Sequence, residues 1–142
     1  MRYVRTFFTA ISLTLRGARP PEVAHAPLRA WIAQARKLLD GVYAAADANG
    51  LPASQRQTLR LRIDKREMAV ETLLAALRHH LNEEYPYLLR HPTPHSLTAI
   101  YASNLNDRYY ISRLAETLTT PALQRALQKL GAHLDAIPPG NS

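Results

Sequence analysis

The fold that the sequence predicts depends mainly on the stretch from Ser54 to Leu81, SQRQTLRLRIDKREMAVETLLAALRHHL. Its apolar residues recur every three or four positions, a spacing that places side chains on one face of an α-helix. At about 1.5 Å per residue, one continuous helix of this length would be roughly 40 Å long. Pro86 should kink or end it, because proline lacks an amide hydrogen and clashes with the preceding turn. The predicted core face consists of Leu59, Ile63, Val70, Leu73, Leu74, Leu77 and Leu81.

The other segments show the same helical spacing and begin or end at recognisable signals. Ser54 and Gln57 match the capping-box pattern. Gly50 suits a left-handed cap after a helix that begins near Pro27. The pairs Thr93-Pro94 and Thr120-Pro121 each offer an N-cap followed by a proline in the first turn.

Alternating runs of β-branched residues are missing, so we predict no strand. The sequence therefore predicts an all-α protein, an antiparallel up-and-down helical bundle of four main helices plus a short N-terminal amphipathic helix. We assign residues 1–19 to that N-terminal helix, 20–137 to the bundle and 138–142 to a flexible tail.

Composition and charge narrow the class of protein. A chain of 142 residues fits one domain, and the absence of cysteine excludes disulfides and thiolate chemistry. The net charge of +7 is uneven, at +8 over residues 1–66 and −1 over 67–142. A basic half favours an anionic partner, although an arginine-rich composition can also reflect genome base composition.

The N-terminal segment combines an apolar stripe with basic flanks. The stripe could pack on the bundle, on a partner protein or on an anionic membrane surface. Its apolar stretch of about ten residues is too short to span a bilayer. Arg16 follows that stretch, which argues against a cleaved secretory signal. The candidate docking residues are Arg2, Val4, Arg5, Phe7, Phe8, Ile11, Leu15, Arg16 and Arg19.

A second basic cluster predicts an alternative function, nucleic-acid binding. Five basic residues early in the predicted third helix could neutralise phosphates, although Asp64 and Glu67 interrupt them. No helix-turn-helix, zinc-finger or RNP-type motif accompanies them. The cluster consists of Arg56, Arg60, Arg62, Lys65 and Arg66.

A third hypothesis is a metal or cofactor site in the bundle. His80 and Glu84 have the i, i+4 spacing of ligands on one helix, with Glu84 on the core stripe and His80 at its rim. A hairpin about Thr93 would bring Asp107 level with His80. Solvated side chains with ordinary helix contacts are the alternative.

Polar residues on the apolar stripes are the last candidates. Arg66, Asn104 and Asp107 fall on these stripes, where they would fix helix register, line a pocket or lie at a wet end.

The chain lacks the G-x-S-x-G, P-loop, H-E-x-x-H and G-x-G-x-x-G motifs, so catalysis has little support and we expect no cofactor. We expect a non-enzymatic interaction or assembly subunit that docks through its N-terminal helix to a partner protein, another copy or an anionic membrane surface. The expected location is the cytoplasm, with peripheral membrane association as the alternative.

Overall fold

The structure, a computed structural model, describes residues 25–139 and is mostly helical. This confirms the predicted helical class, with the addition of one small two-stranded sheet. A single π-helical turn, His80–Glu84, joins two of the helices and is called the π-turn below. The remaining elements are α1 (Ala26–Ala48), α2 (Ala53–Thr58), β1 (Arg60–Ile63), β2 (Arg66–Ala69), α3 (Val70–His79), α4 (Tyr85–Arg90), α5 (Ser96–Thr117) and α6 (Pro121–Asp135).

Helix α1 follows its sequence signals closely. Pro27 lies in the first turn, where a missing amide hydrogen costs no helical bond. At the other end Gly50 adopts a left-handed φ of 80°. The Leu51 N–H donates to the Ala46 carbonyl at 2.9 Å, which gives a Schellman-type end. The buried apolar stripe of α1 consists of Leu28, Trp31, Ile32, Ala35, Leu39, Val42 and Ala46.

Helix α6 packs against both α1 and α5 and links them. The Trp31 indole N–H donates to the His133 carbonyl at 2.8 Å, and His133 Nε2 lies 2.9 Å from the Trp31 carbonyl. On the other side, Asn104 Nδ2 donates to the Leu134 carbonyl at 3.1 Å. These bonds connect the three long helices by polar contacts between side chain and backbone.

The prediction of one long helix from Ser54 to Leu81 is wrong. The short helix α2 is followed by an antiparallel hairpin, and only then does α3 begin. Leu61 and Ile63 alternate with arginines and are buried at 8% and 3% exposure, as expected for a strand with one face on the core. Asp64, at the turn, has a left-handed φ of 58°, a conformation that aspartate tolerates better than most residues.

The hairpin also corrects predictions about individual residues. Leu59 is 37% exposed and does not belong to the core. Arg66 is exposed on β2, because the apolar stripe on which we placed it does not exist as a helix face. The capping box at Ser54 is absent, since α2 begins at Ala53 after Pro52 and has no side-chain cap.

The π-turn and α4 lie around Pro86, where a kink or an end was predicted. Four buried residues, Leu77, Leu81, Tyr85 and Leu89, are spaced four apart. In an α-helix each four-residue step passes a full turn by about 40°. The wider π-turn takes up this excess and keeps all four side chains on the core, while Glu84, predicted to lie there, is exposed.

Two further helix starts can be compared with their predicted caps. Helix α6 begins at Pro121 after Thr120, as predicted, although Thr120 makes no side-chain cap bond. Helix α5 begins later than predicted, at Ser96. Thr93 stabilises the preceding turn instead, because its N–H donates to Ser96 Oγ at 2.8 Å and its carbonyl accepts the Ser96 N–H.

The core of the described residues is one contiguous apolar cluster that draws on α1, the hairpin, α3, the π-turn and α4 to α6. Among residues 25–139 no helix is both long and apolar enough to cross a bilayer. The predicted N-terminal helix at residues 1–19 and the last part of the tail, residues 140–142, lie outside the described residues.

Candidate functional site

Arg56, the first member of the predicted basic cluster, is a buried structural residue. Its side chain is 6% exposed and donates to Glu71 Oε1 at 2.6 Å and to Asp47 Oδ1 at 2.7 Å. It also donates to the Leu51 carbonyl at 3.0 Å. Because its guanidinium connects the end of α1 with α2 and α3, Arg56 is not exposed to meet a phosphate.

The other four basic residues of that cluster are exposed on the hairpin. Arg60 and Arg62 share the outer face of β1 and lie 3.8 and 3.9 Å from the carboxylate of Glu67 on β2. Lys65 and Arg66 follow at the turn and are also exposed. Pairs this exposed contribute little to stability and leave the arginines accessible.

The turn of the hairpin lies against α5. Tyr109 is 43% exposed, and its hydroxyl donates to Asp64 Oδ1 at 3.0 Å. This contact brings a tyrosine of α5 beside the basic hairpin, although the two are far apart in sequence.

His80, in the π-turn, lies between two carboxylates. Its Nδ1 is 2.9 Å from Asp107 Oδ2 on α5, and its Nε2 is 3.6 Å from Glu84 Oε1. Asp107 is only 4% exposed and also accepts a hydrogen bond from the Tyr85 hydroxyl at 3.1 Å. Ser103 Oγ lies 3.3 Å from the same ring nitrogen of His80, and the Tyr85 ring stacks on the imidazole.

This arrangement favours the charged form of His80. The hydrogen bond to Asp107 raises the pKa of His80 above its ordinary value, against the opposing effect of partial burial, and the charges of Asp107 and Glu84 act in the same direction. Burial, with the Asp107 charge, raises the pKa of Tyr85, so its hydroxyl stays protonated and donates. When the imidazole is protonated, His80 and Asp107 form an internal ion pair between the π-turn and α5.

The predicted metal residues therefore meet, but they do not converge on one point. Asp107 lies at Nδ1 of the His80 ring and Glu84 at Nε2, on opposite sides of the imidazole. Within residues 25–139 no group of three or more histidine, aspartate or glutamate side chains has the arrangement that holds a metal ion. The hypothesis of a metal site gains no support from this geometry.

Two of the three polar residues placed on apolar stripes are buried, and the third, Arg66, is exposed. Asn104 is 1% exposed and Asp107 is 4% exposed, and both bond across helix boundaries. The Oδ1 atom of Asn104 has no partner among the described residues.

Sequence reasoning missed Tyr85 and Ser103 as partners in the His80 cluster. The four-residue spacing from Leu77 through Leu81 to Tyr85 would have placed Tyr85 on the core side. Nothing local would have identified Ser103, since its contact with His80 depends on how α5 packs.

The predicted docking residues between Arg2 and Arg19 lie outside the described residues. The chain matches no protein-family model, no curated protein and no solved structure. The candidate sites are therefore judged on their own chemistry.

Proposed function

We propose that this chain is a non-enzymatic helical interaction subunit whose N-terminal segment docks to a partner protein. The observation that carries the proposal is the stripe of Val4, Phe7, Phe8, Ile11 and Leu15, which has arginines on its other side. An amphipathic segment needs an apolar surface to cover that stripe. We also retain the up-and-down arrangement of the long helices as a proposal.

The geometry of the described residues supports this proposal in two ways. Residues 28–134 already contribute a contiguous core. Two polar side chains with several internal partners, Arg56 and His80, already contact carboxylates of the same chain. Both groups therefore act in packing, and the N-terminal stripe is the feature of the sequence that most needs a partner.

A double substitution in the full chain, Phe7→Glu with Phe8→Glu, tests the proposal. A partner that forms a stoichiometric complex with the wild-type chain is first identified by cross-linking, and its affinity is then measured by titration. We expect the substitution to weaken that complex at least about tenfold, because it places two charges in the apolar centre of the proposed interface, where loss of a hot-spot residue costs about 2 kcal/mol or more. The thermal midpoint should not change.

A matched control places the same charges on exposed apolar positions of the described residues. Tyr87 is 55% exposed and Leu105 is 59% exposed, so Tyr87→Glu with Leu105→Glu should leave the complex intact. A Phe7/Phe8 variant that is unfolded would instead assign those residues to the core and contradict the proposal. Retention on vesicles of phosphatidylcholine and phosphatidylglycerol, lost in the same variant, would assign the segment to a membrane.

A second candidate function, nucleic-acid binding, is favoured by the display of Arg60, Arg62, Lys65 and Arg66 on the hairpin. Charge reversal by Lys65→Glu with Arg66→Glu should then abolish retardation of single-stranded DNA and RNA at low salt, and added salt should weaken wild-type binding steeply. Wild-type protein that retards neither nucleic acid would exclude this candidate.

A further inference from the structure

A groove between α1 and α6 is lined by charged residues of one sign, all of them positive. It holds about 300 Å³ and is bordered by Lys37 of α1 with Arg125 and Lys129 of α6. All three side chains are exposed, and none of the ion pairs within residues 25–139 involves them. Among the described residues no carboxylate lines the groove, in contrast to the hairpin, where Glu67 lies close to the arginines.

The helix that carries two of these cations adds to the positive potential. Helix α6 begins at Pro121, and Ala122 in its first turn lines the groove. The first N–H groups of a helix have no acceptor within the helix, and the N-terminal end therefore carries a partial positive charge. The closest acidic residue along α1, Asp40, follows Lys37 by three positions but does not line the groove.

The floor of the groove is made of small side chains. Gly41 of α1 lines the groove together with Ala122 and Ala126 of α6, and half-buried Leu38 supplies apolar surface. A Cβ atom placed on Gly41 would meet no atom of residues 25–139 within 4 Å, so these residues leave the space above it open. Small residues let another backbone approach closely, and an amphipathic helix fits such a groove between two helices with its apolar face inward.

We infer that this groove binds an acidic amphipathic helix of a partner protein, with carboxylates beside Lys37, Arg125 and Lys129 and apolar side chains on the floor. The inference rests on the proposed function, since it describes a second surface of an interaction subunit. Charge complementarity argues against two other occupants. The chain's own N-terminal segment carries Arg2, Arg5, Arg16 and Arg19, and a second copy of the chain carries a net charge of +7. A planar lipid surface would meet the basic rims and leave the apolar floor uncovered.

The first test uses a synthetic fluorescent peptide with leucines at i, i+3, i+4 and i+7 and glutamates on both flanks. Its binding to the full chain is measured by fluorescence anisotropy, with a scrambled peptide of the same composition as reference. We expect saturable binding that added salt weakens. Arg125→Glu with Lys129→Glu should reduce the affinity at least about tenfold, because it replaces two attractive contacts by repulsive ones.

The matched control is Lys65→Glu with Arg66→Glu, which makes the same change in net charge on the hairpin. Equal loss of affinity in both variants would show that only overall charge matters and would overturn the inference. A wild-type chain that binds neither peptide, or both equally, would also overturn it, and so would vesicle binding that depends on Arg125 and Lys129 when the peptide does not bind.

A second variant tests the shape of the groove without changing charge. Gly41→Leu fills the open space above the floor, and replacing glycine inside a helix favours the helical state. The variant should lose peptide binding while its thermal midpoint stays the same or rises. Unchanged affinity in this variant would contradict the inference.

The Phe7→Glu, Phe8→Glu variant separates the two proposals. It should bind the peptide like the wild-type chain, since Lys37, Arg125 and Lys129 are unchanged in it. Loss of peptide binding in this variant would overturn the groove as the binding surface. Normal peptide binding together with an unaffected partner complex would leave the groove standing and reject N-terminal docking.

Discussion

The long helices α1, α5 and α6 and the middle segment from Ala53 to Arg90 use similar apolar spacing with different results. Each long helix runs uninterrupted for 15 to 23 residues with its stripe on the core. The middle segment is divided into α2, a hairpin, α3, the π-turn and α4. An apolar spacing of three or four therefore specifies a helix only where no second spacing competes with it.

The competing spacing in the middle segment is visible in retrospect. Leu61 had no place on the predicted helical stripe, whereas Leu61 and Ile63 together lie on one face of a strand. A strand buries both side chains against the core, and this stabilises the fold more than a helical turn that would leave Leu61 beside the apolar stripe. The unassigned leucine was the signal for the hairpin.

The largest expected effect tests whether the two regions share one core. Leu77 of α3 and Leu130 of α6 are 1% and 0% exposed. Leu77→Ala and Leu130→Ala should each lower the free energy of unfolding by about 3 kcal/mol, through lost burial and a residual cavity. Urea unfolding followed by circular dichroism should give a single transition in both variants. A separate early transition in Leu77→Ala would show that the middle segment unfolds independently.

A smaller effect is expected where the middle segment is tied to α1. Arg56→Met leaves Glu71 and Asp47 without their partner and should cost about 2 kcal/mol of the free energy of unfolding. The control is Arg62→Met, whose side chain is 67% exposed and should cost less than about 0.5 kcal/mol. Equal denaturant midpoints for the two variants would mean that the ion pairs of Arg56 do not stabilise this junction.

Two glycines, Gly41 inside α1 and Gly50 just after its end, should respond in opposite directions. Gly50 has a left-handed φ of 80°, so Gly50→Ala should destabilise the chain by about 1 kcal/mol. Gly41 lies inside the helix with open space around its Cβ position, so Gly41→Ala should stabilise it by about 0.5 to 1 kcal/mol. The two thermal midpoints provide the measurement, and a rise in both would contradict the cap at Gly50.

The smallest effect concerns the π-turn and depends on pH. The pKa of His80 is raised in the folded chain, so its protonated form contributes stability that is complete below the unfolded value of about 6.5. That stability is lost as the pH rises through the folded-state pKa. His80→Gln should therefore flatten the dependence of the denaturant midpoint on pH as the pH rises from about 6.5 through the folded-state pKa of His80, and His79→Gln should not. Parallel pH profiles for wild type and His80→Gln would contradict the contact with Asp107.

Much of the helical part of the fold was predictable because its signals are local. The cap at Gly50 and the start at Pro121 follow from glycine and proline signals, and the positions of Asn104 and Asp107 on the apolar stripe follow from spacing along one helix. Of the candidate sites, the approach of His80 to Asp107 followed from the expected hairpin between two helices. The opposite placement of Glu84 on the imidazole ring did not, because it depends on the π-turn.

The sequence by itself determined the helical class, the long helices, most of their ends and the faces they bury, since these depend on neighbours three or four residues away. Tertiary structure decided the hairpin, the π-turn, the burial of Arg56 and the groove that Lys37 and Arg125 border. Each of these depends on segments far apart in the chain, where burial against a common core outweighs the local preference for a continuous helix.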